Sequence, residues 1–186
     1  ERQPERRLSC RSISLRASFA GADLTGANLE GADMGRATLT GANLAGANLT
    51  NVNLYWADVK RASLRGANLR WSRVVRACFL SADLTGADFS LATMLEVDLR
   101  GTNLTNACFQ SANMNGADMD RAVMTGADFT KAMIRDSMWT MSDMRGANFD
   151  QASLHRSDLS MAKFDDTTRF PQGFDPYHTG EKDVLD

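Results

Sequence analysis

Two acidic residues and two histidines are the places where this sequence could carry chemistry. Asp98 and Asp118 lie twenty residues apart, and paired carboxylates can exchange protons with a substrate or hold a cation. His155 and His178 are the only histidines, and neither has a cysteine at the spacing of a metal site. No glycine-rich phosphate loop, nucleophile elbow or metalloprotease pattern is present. The sequence therefore offers one pair of carboxylates and no cofactor motif.

The charge balance of the 186-residue chain is close to neutral. A net charge of -2 is far from that of a general nucleic-acid binder, and it is weak for a protein that imitates the negative field of DNA. Apolar runs reach only four residues, whereas a transmembrane helix needs about twenty. No signal-peptide pattern is visible, but the chain begins at Glu1, so an upstream segment could have been removed. The compartment stays open between the cytoplasm and, after such a removal, the periplasm or the thylakoid lumen.

A five-residue repeat runs through most of the chain. Every fifth residue from Phe19 to Phe164 is large and apolar, without a break in phase. Two residues before each of these positions stands a small side chain, most often Ala, and the residue directly before is often Asp or Asn. The second residue after is often Gly. A pattern this regular predicts a repeat architecture in which each unit stacks on the next.

A period of five fits a short extended piece followed by a turn. On an α-helix, successive fifth residues step about 140° around the axis and form no stripe, and on a continuous strand they alternate between faces. In an extended piece the small and the large residue point to the same side, and the turn then resets the phase. Gly suits a turn that needs positive φ, while Asp and Asn cap turn backbones. The chain is therefore expected to coil, with two of every five side chains inside.

Units such as Ala22-Asp23-Leu24-Thr25-Gly26 and Ala47-Asn48-Leu49-Thr50-Asn51 resemble those of the pentapeptide-repeat family. The tail stretch Phe-Pro-Gln-Gly-Phe-Asp-Pro, residues 170–176, resembles tails on cyanobacterial and plastid members of that family. The resemblance covers Ala17 to about Asp166. It implies an all-β fold, a right-handed quadrilateral parallel β-helix with about twenty residues in each coil. This chain would then form about seven and a half coils.

The resemblance divides the chain into a rod and two ends. Residues 17–166 are the pentapeptide-repeat β-helix, and residues 1–16 are an N-terminal cap or an imperfect first coil. Residues 167–186 are a C-terminal tail or cap. Because an open solenoid end exposes unpaired backbone groups and apolar core, Phe170 and Phe174 are expected to cover that end or to fold onto the adjacent side.

Twenty residues in each coil would place four apolar columns inside the rod. One column changes from Leu to Phe halfway along, and a stacked aromatic ladder is expected there. Its members are Leu29, Leu49, Leu69, Phe89, Phe109, Phe129 and Phe149. Trp139 belongs to another column and is large for this interior. Either the coil widens near Trp139 or its side chain points out.

The same period predicts how the acidic pair and the cysteines lie. Asp98 and Asp118 should stack in adjacent coils, but a solenoid forms such stacks without a cleft that excludes water, so a structural explanation is preferred to catalysis. Cys78 and Cys108 should lie on opposite faces, beyond the ~7 Å Cα separation that a disulfide allows. Cys10 is several coils from either. No internal disulfide is predicted, which leaves reducing and oxidising compartments open.

An outward cluster of aromatic, aliphatic and basic residues lies between residues 55 and 95. Its composition is typical of a binding hot spot. The candidate partner-binding residues are Tyr55, Trp56, Trp71, Arg73, Val75, Arg76, Leu91 and Leu95. Basic residues surround the cluster within a single coil, and they are Lys60, Arg61, Arg65, Arg70, Arg73 and Arg76.

Two structural explanations compete with partner binding at this cluster. One of the chain termini could cover it, or the arginine stems could simply pack over the rings. A second outward apolar patch near the C-terminal end has its own structural explanation, which is that it receives the tail. That patch consists of Met138, Met141 and Met161.

The leading hypothesis is a non-catalytic interaction or structural module that presents a rigid β-helical surface, with an undefined biochemical role. Its partner is expected to be another protein, and self-association through an end or through the 55–95 cluster is the other form that binding could take. Similarity to the quinolone-resistance branch of the family implies an alternative, a gyrase-binding mimic of B-form DNA. This sequence departs from that branch in its uninterrupted repeat, its small net charge and its basic belt. Inhibition of gyrase supercoiling would distinguish the two hypotheses.

Overall fold

The computed structural model describes residues 17–177, and the regular structure of this range consists of single-residue parallel bridges. All of these bridges except the last join a residue to the one twenty positions further along, as in Ser18–Thr38 and Thr38–Asp58. The chain turns after every bridge, so the described residues form no longer strand and no helix. Within this range no helix is long and apolar enough to cross a membrane. The chain therefore coils into a parallel β-helix with twenty residues in each coil, as predicted.

The bridges form four ladders, one on each side of the coil. Ladder 1 comprises Ser18, Thr38, Asp58, Cys78, Asp98, Asp118, Met138 and Asp158. Ladder 2 comprises Asp23, Asn43, Ser63, Asp83, Asn103, Val123, Asp143 and Lys163. Ladder 3 comprises Asn28, Asn48, Asn68, Asp88, Cys108, Asp128, Asn148 and Arg169. Ladder 4 comprises Asp33, Asn53, Arg73, Thr93, Asn113, Met133 and Ser153. Each face of the rod takes the number of the ladder that it carries.

Backbone hydrogen bonds join each coil to its neighbours. The Phe19 N–H donates to the Thr38 carbonyl at 2.7 Å, and the Thr38 N–H donates to the Ala17 carbonyl at 3.0 Å. The same pair of bonds recurs along all four ladders, so the wall of the rod satisfies its own backbone polar groups. The faces are therefore rigid, and their side chains stand at fixed spacings.

The turns between ladders explain the small and polar positions of the repeat. The Ala22 N–H donates to the Phe19 carbonyl at 3.0 Å. Gly21, the third residue of this turn, has a φ of 65°, and a type II turn requires positive φ there. Asp23 caps the next turn, because its Oδ1 accepts the Thr25 N–H at 3.1 Å. Gly and Asp or Asn therefore recur at the two places where the turn backbone favours them.

The phenylalanine column is stacked, which confirms the predicted aromatic ladder. The ring centroids of Phe89 and Phe109 are 5.2 Å apart, with an interplanar angle of 7°. Phe129 continues the stack at 4.8 Å from Phe109, and Phe149 follows at 4.9 Å from Phe129. All four side chains are at most 1 % exposed. The second half of the rod therefore has a nearly parallel aromatic stack in its core.

Trp139 points into the rod and is fully buried, so the alternative in which it points out is wrong. Its ring packs edge-on against Phe129 and Phe149, with centroid distances of 5.6 and 5.7 Å. Its Nε1 has no hydrogen-bond partner among the described residues, and the same is true of the buried Ser142 hydroxyl. An unpaired buried donor costs about 1–3 kcal/mol, which burial and stacking of so large a ring can offset.

The coil continues beyond the last regular unit after one extra residue. Asn148 pairs with Arg169, twenty-one positions further along, instead of with the twentieth residue. Phe170 thereby stacks on Phe149 at 5.7 Å with an angle of 5°. Phe174 stacks in turn on Phe170 at 5.5 Å. Phe170 and Phe174 therefore cover this end of the core, as predicted.

The opposite end of the described rod is less completely buried. Phe19 and Leu24 belong to the same apolar columns as the core residues but are only partly buried. The predicted N-terminal cap, residues 1–16, lies outside the described residues.

Candidate interaction surface

Three adjacent coils bring the eight predicted partner-binding residues onto face 4 and its two corners. The register is fixed by the backbone, since the Trp56 N–H donates to the Val75 carbonyl at 3.0 Å and the Arg76 N–H donates to the Leu95 carbonyl at 2.9 Å. We call this area the Trp71 surface. It consists of Tyr55, Trp56, Trp71, Arg73, Val75, Arg76, Leu91 and Leu95.

The largest side chains of the Trp71 surface face solvent. Trp71 is 58 % exposed, Trp56 is 52 % exposed and Leu91 is 37 % exposed. Beside them runs a half-buried column of Tyr55, Val75 and Leu95. The outward orientation that the repeat predicts for these residues is therefore present, and it leaves an apolar area on the outside of the rod.

Arginines pack over two of the rings. The Arg73 guanidinium lies 5.0 Å from the centroid of Tyr55, and that of Arg76 lies 5.8 Å from the centroid of Trp56. Tyr55 and Trp56 also touch edge to face, at 6.4 Å. Intramolecular packing thus accounts for part of the surface, as the second structural explanation predicted. It does not account for Trp71, which has no ring or cation contact within residues 17–177.

The backbone at the exposed apolar corners is left-handed. Trp56, Trp71 and Leu91 have φ values of 56°, 62° and 62°, at a turn position where eleven Gly and eighteen other residues all have positive φ. A left-handed conformation costs a residue with a Cβ about 1–2 kcal/mol. For an indole that is more than half exposed, burial offers little to offset that cost. Because the left-handed backbone is common to all of these corners, position 71 is distinguished by the size and exposure of its indole.

Arg73 replaces a turn cap. One coil below, Asn53 Oδ1 accepts the Tyr55 N–H at 3.1 Å, as Asp and Asn do at many bridge positions. An arginine side chain carries no acceptor, so Arg73 cannot make this bond to Val75. Position 73, like position 71, departs from the residue type that the repeat favours, and both lie on the same surface.

Acidic residues neutralise most of the basic belt around this coil. Lys60 pairs with Asp58 at 3.2 Å in its own coil. The other three pairs reach the next coil and join Arg65 to Asp83, Arg70 to Asp88, and Arg76 to Glu96. Neither Arg61 nor Arg73 forms an ion pair among residues 17–177. The hydrogen bond with Glu96 raises the pKa of Arg76 and lowers that of Glu96.

Sequence reasoning missed two charged neighbours of the surface. Glu96 lies twenty residues after Arg76, and Arg36 lies twenty residues before Trp56 in the same corner. The Arg36 N–H donates to the Tyr55 carbonyl at 2.7 Å, which fixes that register. Comparing each position with those twenty residues before and after it would have found both.

The described part of the tail does not reach the Trp71 surface. Phe170 and Tyr177 pack against Phe164, at 5.4 and 5.2 Å, at the far end of the rod. Coverage by the tail is therefore excluded up to Tyr177. Coverage by the N-terminal segment concerns residues 1–16, which lie outside the described residues.

A second exposed apolar area lies on faces 1 and 2 near the C-terminal end. Met138, Met141 and Met161 are 47 %, 44 % and 70 % exposed, and Val123 beside them is 40 % exposed. The explanation that this patch receives the tail is wrong for the tail up to Tyr177. Unlike the Trp71 surface, the patch contains no aromatic residue.

The acidic pair is stacked as predicted, and an arginine holds it. Asp98 and Asp118 bridge in ladder 1, and Arg100 contacts Asp98 at 2.8 Å and Asp118 at 3.5 Å. Burial tends to raise both pKa values. Hydrogen bonds from Arg100 and Cys78 outweigh it at Asp98, whose pKa is lowered, whereas the pKa of Asp118 is raised. The arrangement is an ion pair on the wall of the rod.

The remaining candidates for chemistry are dispersed. Cys78 and Cys108 are free thiols in ladders 1 and 3, and Cys10 lies outside the described residues. Burial raises the pKa of Cys78. His155 is exposed at a corner, and His178 lies outside the described range. Within residues 17–177, no group of three or more His, Cys, Asp or Glu side chains could hold a metal ion.

Comparison with known protein families agrees with this geometry. A model described as "Pentapeptide repeats" matches eight copies, over residues 17–55, 53–90, 82–121, 103–137 and 142–168. The chain belongs to the pentapeptide repeat family. Pentapeptide repeat proteins are generally structural or interaction modules, and the described chain has the parallel coil expected of one.

Several solved pentapeptide repeat structures are similar to this chain. HetL from the cyanobacterium Nostoc, described as involved in heterocyst differentiation regulation, is 24 % identical over 79 % of this chain and 82 % of its own, with a TM-score of 0.34. A protein of the Arabidopsis thaliana thylakoid lumen is 29 % identical over 63 % and 68 %, with a TM-score of 0.36. The plasmid-mediated fluoroquinolone resistance protein QnrB1 is 17 % identical over 83 % and 87 %, with a TM-score of 0.39. No curated protein matches the sequence.

Proposed function

We propose that this protein is a non-catalytic interaction module, and that the Trp71 surface binds another protein. The module is a right-handed four-sided rod of about seven and a half coils over residues 17–166. The observation that carries the proposal is Trp71, a large aromatic side chain that is 58 % exposed and has no ring or cation contact within residues 17–177. A protein surface that holds a large aromatic side chain at a cost in stability, and without burying it, is suited to burying it in a complex.

The neighbours of Trp71 support a binding role. Trp56 and Leu91 extend the exposed apolar area, and Arg73 is exposed without an ion pair among the described residues. Tryptophan, tyrosine and arginine are the residue types enriched at binding hot spots. Trp56, Trp71 and Arg73 place large side chains at corner and bridge positions where Gly, Asp and Asn are common in the repeat.

The rod around the surface favours tight binding. Trp71 and Arg73 are attached to a wall in which every coil is hydrogen-bonded to the next, so the backbone beneath them is already ordered before a partner arrives. A pre-organised surface loses less conformational entropy on association. The DNA-mimic alternative gains no such support, because arginines without an acidic partner are the opposite of a phosphate array.

A capture experiment with paired variants tests this proposal. The double variant Trp71→Ser with Arg73→Glu removes the ring and reverses the charge, and it is compared with wild type in capture of proteins from the native cell extract. The matched control is Met161→Ser with Lys163→Glu, which changes the same two repeat positions at the other end of the rod. Circular dichroism first establishes that both variants fold.

We expect a protein that wild type and the Met161/Lys163 control retain equally and that the Trp71/Arg73 variant loses. Equal capture by all three proteins would contradict the proposal. Loss only in the control would move the binding site to the methionine patch.

A further inference from the structure

Arg73 has the geometry of an anion receptor at the centre of the Trp71 surface. Its guanidinium lies over the Tyr55 ring at 5.0 Å, which occupies its face and leaves its edge, where the N–H donors project. The neighbours of Arg73 in ladder 4, Asn53 and Thr93, are uncharged. Arg73 forms no ion pair among residues 17–177 and is exposed. Its charge and its donors are therefore open to a ligand.

A second arginine, at the edge of the surface, is also exposed and without an ion pair among the described residues. Arg36 lies directly beneath Trp56 in the corner column and is exposed, and within the described residues it has no ion pair. Arg76, directly above Trp56, is instead paired with Glu96 at 2.8 Å. The aromatic pair of Tyr55 and Trp56 thus lies between two arginines whose charges the described chain leaves unbalanced, Arg36 and Arg73.

The acidic groups nearby do not cancel these charges. Both Glu96 oxygens accept from Arg76, at 2.8 and 3.1 Å. Asp33 lies two coils below Arg73 in ladder 4, and its Oδ1 accepts the Asn53 amide at 2.8 Å and the Gly35 N–H at 3.1 Å. Because both of these donors are neutral, Asp33 keeps its charge, and the three arginines Arg36, Arg73 and Arg76 exceed the two acids Asp33 and Glu96 by one charge. The surface is therefore weakly positive and apolar, although the net charge of the chain is -2.

We infer that the partner presents an acidic, apolar peptide segment, in which an Asp or Glu carboxylate stands beside a large aliphatic or aromatic side chain. This inference rests on the proposed function. The carboxylate accepts from the edge of the Arg73 guanidinium, a charge-assisted contact that arginine favours. The apolar side chain packs on Trp71, which is the most exposed ring of the surface. A nucleic-acid partner is disfavoured because proteins bind phosphate backbones with many lysine and arginine side chains. Most of the lysine and arginine side chains of this coil are already paired with acidic residues.

Selection from a library of random dodecapeptides displayed on phage tests the inference with the intact protein. Selected peptides are then synthesised, and their affinities are measured for wild type and for Arg73→Gln, Trp71→Ser and Arg61→Gln. Arg61 is the matched control, since it is exposed and also forms no ion pair within the described chain, but it lies at a different corner. Duplex and single-stranded oligonucleotides are measured at the same salt concentration.

We expect the selected peptides to be enriched in Asp or Glu next to Leu, Ile, Phe or Trp. Their affinity should fall about tenfold or more with Arg73→Gln, which corresponds to the loss of one charge-assisted contact. Trp71→Ser should abolish binding, and Arg61→Gln should leave it unchanged.

The other outcomes overturn the inference in distinguishable ways. Peptides that require Trp71 but show no acidic enrichment, or do not respond to Arg73→Gln, would contradict the acidic partner and leave the surface as a binding site. Peptides whose affinity is unchanged by both Arg73→Gln and Trp71→Ser would overturn the proposed function as well, and so would a selection that yields no peptide. Tighter binding of an oligonucleotide that is lost with Arg73→Gln would replace the protein partner by a nucleic acid.

Discussion

The phenylalanine column inside the rod and the Trp71 surface outside it both depart from the simple repeat, with opposite consequences for stability. In the column, Phe replaces Leu, and each ring is buried and stacked at 4.8–5.2 Å. On the surface, Trp71 lies with a φ of 62° at a corner position where Gly is the commonest single residue type, and it is 58 % exposed. The phenylalanine rings stabilise the fold by packing against one another. The exposed Trp71 ring adds little packing within the described chain.

This contrast separates residues that serve the fold from residues that serve a partner. A repeat provides its own reference, because every position has equivalents five and twenty residues away. Where burial or hydrogen bonds make a departure from the repeat stabilising, as at Phe109, the stability of the fold explains the residue. Where neither burial nor hydrogen bonding explains it, as at Trp71 and Arg73, the proposed partner supplies the explanation.

The largest effect is expected inside the column. Phe109→Ala removes a ring that is stacked on both sides, and it should lower the free energy of unfolding by about 3–5 kcal/mol, measured by denaturant titration. Phe109→Leu restores the residue type of the first half of the column and should cost about 1 kcal/mol. A loss from Phe109→Ala no larger than that from Phe109→Leu would contradict the energetic role of the stack.

At the Trp71 surface, removal of the large side chain is expected to leave stability unchanged or to raise it. Trp71→Gly relieves a left-handed backbone, so it should not reduce stability and should raise the free energy of unfolding by up to about 1 kcal/mol. Gly66→Ala is the reciprocal variant, because Gly66 has a φ of 62° and open space around it, and it should lose about 1 kcal/mol. Thermal unfolding measures both. A marked loss of stability in Trp71→Gly would mean that the indole packs for the benefit of the fold.

A smaller increase in the free energy of unfolding is expected for a variant at the bridge position 73. Arg73→Asn restores the turn cap that Asn53 makes one coil below, and it should raise the free energy of unfolding by about 0.5 kcal/mol. The reverse exchange, Asn53→Arg, removes such a cap and also the hydrogen bond that the Asn53 amide donates to Asp33, so it should lower the free energy of unfolding by a larger amount. If the two exchanges shifted the melting temperature in the same direction, the cap would not explain the difference between the two coils.

The smallest effects concern the two aspartates of ladder 1, and they should have opposite signs. Because the pKa of Asp98 is below the usual 3.8, its ionised form stabilises the fold above that value, and the contribution is lost as the pH falls through the lowered pKa. The pKa of Asp118 is raised, so its ionisation is a cost at neutral pH that disappears as the pH falls through the raised pKa. At pH 7, Asp98→Asn should lower the melting temperature and Asp118→Asn should raise it slightly.

Both differences should shrink as the pH falls, that of Asp118 as the pH passes through its raised pKa and that of Asp98 only below 3.8, as the pH approaches its lowered pKa. Melting curves of the two variants and of wild type between pH 3 and pH 7 measure this dependence. Shifts of the same sign at pH 7 would show that the two stacked carboxylates are in equivalent environments.

The regular features of this molecule could be predicted from its sequence, because one backbone geometry is repeated in every unit. The inward columns, the Phe stack, the stacking of Asp98 on Asp118 and the outward position of Trp71 all follow from the spacing. The direction of Trp139 did not follow, since the choice between a buried and an exposed ring depends on the space that its neighbours leave.

Features that depend on side-chain reach or on irregular spacing were harder to predict. The neutralisation of the basic belt requires arginines to extend to acids eighteen or twenty residues on, in the next coil. The extra residue before Arg169 breaks the phase that supported every other assignment, so the place of Phe170 in the stack could not be read from the repeat.

The most direct test of the account combines stability and binding in one variant. Trp71→Gly and wild type are compared for melting temperature and for capture of proteins from the native extract, with Met161→Gly as the control at an equivalent left-handed corner. We expect Trp71→Gly to melt no lower than wild type and to lose a partner that Met161→Gly retains. Undiminished capture by Trp71→Gly, or a clear fall in its melting temperature, would contradict the claim that this surface is kept for a partner.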